Sequence, residues 1–260
     1  MIHMTQKSDK LNLSFLPKAV REHINQLERI RSDFVANVSH EIRTPLTVIR
    51  GYLEILLKKK DKGIRPYQKI LDQMYQHSTR MEAIIDDLLL LSRLESEDYL
   101  PDEMISVDVA KILKTLCMDA ERISGEKQHI IKLRADPNLC INGSEEELKS
   151  LFSNIVINAI KYTPAKGCIT ITWFKDNSRA IFSVLDTGIG IAKEHIPRIT
   201  ERFYRVDRAR SRESGGTGLG LAIVKHVLMR HHGDLYIDSE PSKGSTFACK
   251  FPLPVTNKSH

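Results

Sequence analysis

The chain opens without a hydrophobic pattern and then settles into one. Over residues 1–16 apolar and polar positions follow no clear period, which reads as a flexible amino-terminal tail. Leu27, Ile30, Phe34, Val38, Ile42, Leu46, Ile49, Leu53 and Leu56 then recur every three or four residues and line one face of a helix. The run Lys58-Lys59-Lys60-Asp61-Lys62-Gly63 breaks that face with charge and a glycine, as a turn does. A second helix follows. Its seam, Tyr67, Ile70, Met74, His77, Met81, Ile84, Leu88 and Leu91, steps alternately by three and four. Two such helices joined by a short turn predict an antiparallel hairpin over residues 17–97. A hairpin has little core of its own, and pairing with a second copy into a four-helix bundle supplies one, so a homodimer is expected. Packing of the hairpin on the rest of its own chain is the alternative.

Residues 98–106, acidic and containing Pro101, read as a linker, and beyond them the periodicity changes. A helix is expected from Asp108 to Ser124, then strands at His129–Ala135 and Leu139–Asn142. Ser144, with Glu147 three residues on, has the capping-box arrangement that opens a helix running to Tyr162. Ile169, Ile171 and Trp173 alternate with threonines, as a half-buried strand does. Another strand at Ala180–Leu185, a helix at Gly218–His231, and strands at Leu235–Asp238 and Thr246–Phe251 complete a domain over 107–255, with a short tail at 256–260. The fold class is therefore α+β: a helical hairpin forming a dimeric four-helix bundle, followed by a two-layer α/β sandwich.

Composition narrows the picture. With 260 residues, 41% hydrophobic and 28% charged, the chain is an ordinary folded one of one or two domains. Its most apolar stretch, Ile84 to Leu91, is interrupted by Asp86 and Asp87, so no bilayer span is expected. The amino terminus is too polar for a secretory signal, and a cytoplasmic location is expected. Four cysteines, Cys117, Cys140, Cys168 and Cys249, form no C-x-x-C pair and read as reduced core residues. A net charge of +6 points to anionic partners of unspecified kind. Only 6% of residues are aromatic, which argues against a nucleic-acid surface that interleaves basic and aromatic side chains.

Three clusters carry candidate chemistry. His40 and Glu41 interrupt the apolar face between Val38 and Ile42, so they point away from it, and Thr44 shares the face of His40. Pro45 lacks an N–H and should kink the helix just past them. An imidazole is nucleophilic at neutral pH, and an adjacent carboxylate can take its proton. The second cluster is rich in glycine: Asp186-Thr187-Gly188-Ile189-Gly190 ends a strand, and Gly215-Gly216-Thr217-Gly218-Leu219-Gly220 opens a helix. Either could be a tight turn alone; two in one small domain, one headed by a carboxylate, favour a nucleotide. Neither has the spacing of a Walker A loop or of G-x-G-x-x-G. The third cluster is Asn154, Asn158, Lys161 and Tyr162 on the preceding helix, a polar edge that could offer a carbonyl oxygen to Mg2+ and an ammonium to phosphate. Between the glycine segments, Lys193 to Arg212 holds seven basic and three acidic residues and reads as a lid over a polyphosphate.

Taken in order, these motifs resemble those of the sensor histidine kinases of two-component signalling. HEIRTP resembles the phospho-acceptor box, NIVINAIKYT the N box, and DTGIG the first glycine box. ERFYR resembles the F box, GGTGLGLAIVK the second glycine box and KGSTF the third. The stretches RTPLTVIRGYLE and FYRVDRARSRESGGTGLGLAIVKH are similar to the phosphate-regulon branch of that family. The resemblance implies a dimerising phospho-acceptor hairpin and a GHKL-type ATP-binding sandwich using ATP and Mg2+. It makes His40 the phosphorylated residue, Glu41 its base, and Thr44 the residue that positions water for dephosphorylating a response regulator. It assigns Mg2+ to Asn158, with Asn154, Lys161 and Tyr162 completing that wall. Asp186 would read adenine, with Gly188 and Gly190 shaping the pocket. Tyr204 and Arg205 would meet the nucleotide, and Gly216, Thr217, Gly218, Leu219 and Gly220 its phosphates. The expected partner is a response regulator with an acceptor aspartate, docking near His40. A GHKL-type ATPase, or a scaffold without phosphotransfer, is the rival reading.

Overall fold

The computed structural model describes residues 38, 41–54, 56, 67–95, 104–206 and 217–253. The chain divides into two compact units, Met1–Ile70 and Leu71–His260. In the first, residues 41–54 form a helix (α1). It runs unbroken through Pro45, so the expected kink does not interrupt it. Thr47 Oγ1 donates to the Arg43 carbonyl at 2.8 Å on its exposed side.

The second unit begins within α2 (Gln68–Glu95) and continues through β1 (Ile105–Asp108), α3 (Val109–Ser124), β2 (Ile130–Ala135), β3 (Cys140–Gly143) and α4 (Glu145–Tyr162). It ends with β4 (Cys168–Asp176), β5 (Arg179–Asp186), α5 (Gly220–Arg230), β6 (Asp234–Glu240) and β7 (Gly244–Pro252). The unit boundary falls before most of α2 and not at the 98–106 linker, because Leu91 and Leu94 join the same apolar cluster as Val107, Leu113 and Leu151. Strand β1 lies partly inside the stretch read as linker: Ile105 pairs with Gly143 of β3 and Asp108 with Cys140. Four residues, of which only Val107 is buried, carry too little alternation to announce a strand.

The main sheet has the order β2-β4-β5-β7-β6, with β2 parallel to β4 and every other pair antiparallel. Its inner face (Ile169, Ile171, Trp173, Phe182, Val184, Cys249, Phe251) is buried under the helices, giving the two-layer sandwich expected. Phe152 of α4 sits at the centre of the core. Its ring centroid lies 4.5 Å from that of Phe182 and 6.4 Å from that of Trp173. Each ring offers a different edge or face, the arrangement their quadrupoles favour. Trp173 Nε1 donates to the Leu139 carbonyl at 3.0 Å, so its one polar atom is satisfied in the core.

Helix α4 forms where the capping box predicted. Ser144 is extended and its Oγ accepts from Glu147 N at 3.5 Å, with three glutamates in the first turn and Lys161 in the last. Leu148, Leu151, Phe152, Ile155, Val156, Ala159 and Ile160 face the core, which leaves Asn154, Asn158 and Lys161 along one flank.

Candidate functional site

The flank of α4 meets both glycine segments. Asp186 closes β5, paired with Ile169 on one side and Ser245 on the other, and is only 5% exposed. Its Oδ1 accepts from Gly188 N at 2.7 Å. Burial pushes this carboxyl above its ordinary value, while hydrogen bonds from the Gly188 and Ser245 backbones oppose the shift. Gly188 is required by space: a Cβ there would lie 2.5 Å from Asp186 Oδ1 and 2.8 Å from the Tyr162 carbonyl oxygen. That carbonyl accepts from Ile189 N at 3.2 Å, so the turn after Asp186 is fastened to the end of α4. Gly190 has φ +68° and packs on the backbone at Glu240 and Pro241, which holds the loop against the β6–β7 turn.

The second glycine segment approaches the same flank. A Cβ at Gly220 would lie 2.3 Å from Asn154 Oδ1, so glycine lets the amino end of α5 close on Asn154. Asn154 Nδ2 donates back to the Ser150 carbonyl at 3.0 Å, which turns its oxygen toward that helix end. No side chain caps α5 at Leu219, although Thr217 Oγ1 accepts from Leu219 N at 3.1 Å. The N–H groups of its first turn are the kind of donors an anion takes.

The F-box residues arrive through Phe203, whose N donates to the Gly218 carbonyl at 2.8 Å. Both residues have positive φ, 60° and 75°, and a Cβ at Gly218 would lie 2.9 Å from Phe203 Cα. Tyr204 follows, its hydroxyl 2.8 Å from His195 Nδ1 and its ring 4.4 Å from the Arg198 guanidinium carbon. Nothing in the spacing of the sequence pointed to His195, which reaches Tyr204 by the fold of the intervening turns.

Lys161 stands in cationic company. Burial, followed by the charges of Arg205, Arg80 and Lys127, pulls its pKa down from 10.5 to about 8. Arg80 belongs to α2, which the sequence assigned to the hairpin alone. The same helix touches the second glycine segment again, where Thr217 Oγ1 donates to Asp87 Oδ2 at 2.9 Å. Burial raises the Asp87 pKa, the Thr217 hydrogen bond lowers it, and Asp86 raises it further. At the end of α2, Glu95 pairs with Arg202 and lies 3.3 Å from His226 Nε2.

Asn154, Asn158, Lys161, Tyr162, Asp186, Gly188, Tyr204, Arg205, Thr217, Gly218, Leu219 and Gly220 thus belong to adjoining elements of one unit, with Gly190 beneath them. In the first unit Glu41 is half-buried and Thr44 exposed, both on α1. His40 and Gly216 lie outside the described residues. The four cysteines are free thiols, and burial raises that of Cys249. Among the described residues no helix is long and apolar enough to cross a membrane, and no three acidic, histidine or cysteine side chains cluster as metal ligands.

The phospho-acceptor pattern, the glycine segments and this sandwich together define a class, and the chain belongs to the histidine kinase family. Residues 30–97 match the His Kinase A (phospho-acceptor) domain, and residues 143–255 match the histidine kinase-, DNA gyrase B- and HSP90-like ATPase domain. The chain is 51% identical over 249 residues to the phosphate regulon sensor protein PhoR of Pseudomonas aeruginosa, covering 96% of this chain and 56% of that protein. With PhoR of Haemophilus influenzae it shares 40% identity over 224 residues, 85% of this chain and 51% of that one. It therefore spans about half the length of the curated relatives it matches. Among solved structures, full-length ShkA in complex with AMPPNP superposes with a TM-score of 0.63 at 27% identity, covering 85% of this chain and 46% of that one. Histidine kinase ThkA in complex with response regulator protein TrrA shares the fold at a TM-score of 0.70 and 22% identity, over 92% of this chain and 66% of that one.

Proposed function

We propose that this chain is the catalytic core of an ATP-dependent protein-histidine kinase that phosphorylates His40 and passes the phosphoryl group to an aspartate of a response regulator. The observation that carries the reading is the closure of both glycine segments on one flank of α4, Gly188 on the Tyr162 carbonyl and Gly220 on Asn154. ATP fits these residues. Asp186 offers a buried acceptor for the adenine amino group, and Lys161 with Arg205 offers cations to the phosphates. The first turn of α5 adds backbone donors. Asn158 offers a hard carbonyl oxygen to Mg2+, which commonly takes few protein ligands and completes its shell with phosphate and water. The related ShkA was solved with AMPPNP, in keeping with a nucleotide here.

ATP supplies the transferable γ-phosphoryl group. A ring nitrogen of His40 attacks its phosphorus, the P–N bond forms as the bond to the β-phosphate oxygen breaks, and ADP leaves. Glu41 accepts the proton from the other nitrogen. Catalysis is then positioning and charge neutralisation, the work of Lys161 and Arg205, while Asn158 would hold a Mg2+ that would supply further neutralisation of the phosphate charge. Thr44, four residues beyond His40 in the sequence, positions a water for hydrolysis of the phosphorylated regulator. The chain works as a homodimer through its hairpin, on the cytoplasmic side where ATP is available.

Incubation with γ-labelled ATP and Mg2+ should yield an acid-labile, base-stable phosphoprotein, and His40→Ala should abolish the label. A label that survives this substitution rules out His40 and favours the ATPase or scaffold reading. Thr44→Ala should leave autophosphorylation intact while slowing regulator dephosphorylation, on the order of tenfold or more. Equal loss of both activities would remove Thr44 from that role.

A further inference from the structure

The carboxyl end of α4 is the joint on which the candidate site turns, and it is held from behind. The Tyr162 carbonyl faces the Asp186 turn and accepts from Ile189 N. The neighbouring carbonyls are gathered by the Lys127 side chain. Lys127 Nζ donates to Ile160 O at 2.9 Å, to Lys161 O at 3.0 Å and to Thr163 O at 3.4 Å. Those of Ile160 and Lys161 are carbonyls that a helix end leaves without intrahelical donors, Thr163 is the residue that caps the helix, and a cation beside them also meets the negative end of the helix dipole.

Lys127 itself is fixed independently of its ammonium. It ends a 3-10 turn, Gly125–Lys127, and its own carbonyl accepts from Lys166 N at 2.7 Å. Ile130 N donates to Gly167 O at 2.9 Å, and His129 Nε2 lies 3.0 Å from Thr163 O. The backbone around Lys127 is therefore stitched to the 163–167 corner whatever its side chain does. Among the described residues no carboxylate forms an ion pair with Lys127, so its bonding capacity is spent on the three carbonyls.

We propose that Lys127 is a positioning residue of the nucleotide site: by gathering the Ile160, Lys161 and Thr163 carbonyls it fixes the end of α4, and so the places of Lys161, Tyr162 and the Gly188 turn that meet the nucleotide. On this reading it acts on binding and not on the transfer step. The inference rests on the ATP reading of the site.

The test is the dependence of autophosphorylation on ATP concentration in the full chain. Lys127→Met keeps the aliphatic stem and removes the donors. It should raise KM for ATP on the order of tenfold, with the rate at saturating ATP within about twofold of the unaltered protein. Lys127→Arg, which restores a cationic donor, should recover KM. A helix cap that mattered for stability alone would lower the melting temperature and the active fraction, and would leave KM where it was. That outcome overturns the proposal. Where Lys127→Met does not fold, Lys127→Gln, a neutral donor, is read in its place with an intermediate rise in KM expected and an unchanged KM overturning the proposal. If the unaltered protein neither binds nor uses ATP, the nucleotide reading falls and this inference with it. If it uses ATP normally and the KM of both neutral variants is unchanged, the inference falls alone.

Discussion

Two buried polar residues show how much a single side chain decides here. Asp186 keeps one oxygen on Gly188 N at 2.7 Å, so an asparagine would preserve that bond while changing what the other atom presents to a ligand. Asp186→Asn should therefore leave thermal stability nearly unchanged and weaken ATP binding by about tenfold or more, read by calorimetric titration. Unchanged affinity would place the adenine elsewhere. His231, 3% exposed, has the opposite task, to be neutral and structural. Its Nε2 accepts from Ser144 N at 3.1 Å and its Nδ1 donates to Val227 O at 2.8 Å, which fixes the uncharged tautomer. Burial pulls its pKa below 6.5, against the Val227 hydrogen bond, and the charges of Arg230 and His232 lower it further. The unfolded chain then binds more protons than the folded one as pH drops below 6.5, so stability falls with acidification. The urea midpoint should drop between about pH 7.5 and 5.5, and His231→Gln should flatten that drop while lowering the midpoint at both.

At the scale of elements, α2 does more than its heptad seam announced. Its seam residues Ile84 and Leu91 are buried as the pattern required, yet Asp87 on the same helix reaches the Thr217 hydroxyl beside the amino end of α5. A carboxylate there lies near the donors that the triphosphate is proposed to use, and like charge disfavours the ligand. Asp87→Asn should tighten ATP binding by about two- to fivefold at low ionic strength, an effect that salt should erode. A weaker or salt-independent affinity would count against this opposition. Elements of this kind mark where the sequence was legible. Strands and helices with a clear period were found where the pattern put them, α4 with its Ser144 cap to within a residue and the Ile169–Trp173 alternation inside a strand that runs three residues further, to Asp176. Helix–helix and loop–loop contacts were not, because Asp87–Thr217, His195–Tyr204 and Lys127 with the end of α4 join residues whose separation carries no period. The candidate site was readable as motifs, since glycines needed for close approach stand out. What holds those motifs in place is made of ordinary lysines and histidines, which do not.

For the whole molecule, the sequence drew its boundary through the acidic stretch at 98–106, whereas the packing runs across it. Leu91 is 1% exposed and Leu94 5% exposed, and both belong to the cluster that includes Val107, Val109 and Leu113. A leucine that goes from buried to exposed forfeits roughly 1.5–3 kcal/mol, so the end of α2 is an energetic part of the α/β unit. Glu95 adds its pairing with Arg202 and its approach to His226, and the Arg93 carbonyl accepts from Arg230 at 3.3 Å. A piece spanning residues 104–253 should consequently be less stable to urea than one spanning 71–253, by a few kcal/mol in about the range of two leucine burials. Equal stability of the two pieces would mean that α2 merely rests on the sandwich. A large difference would mean that whatever twists or shifts the carboxyl half of α2 must strain the same core that α4 is built on.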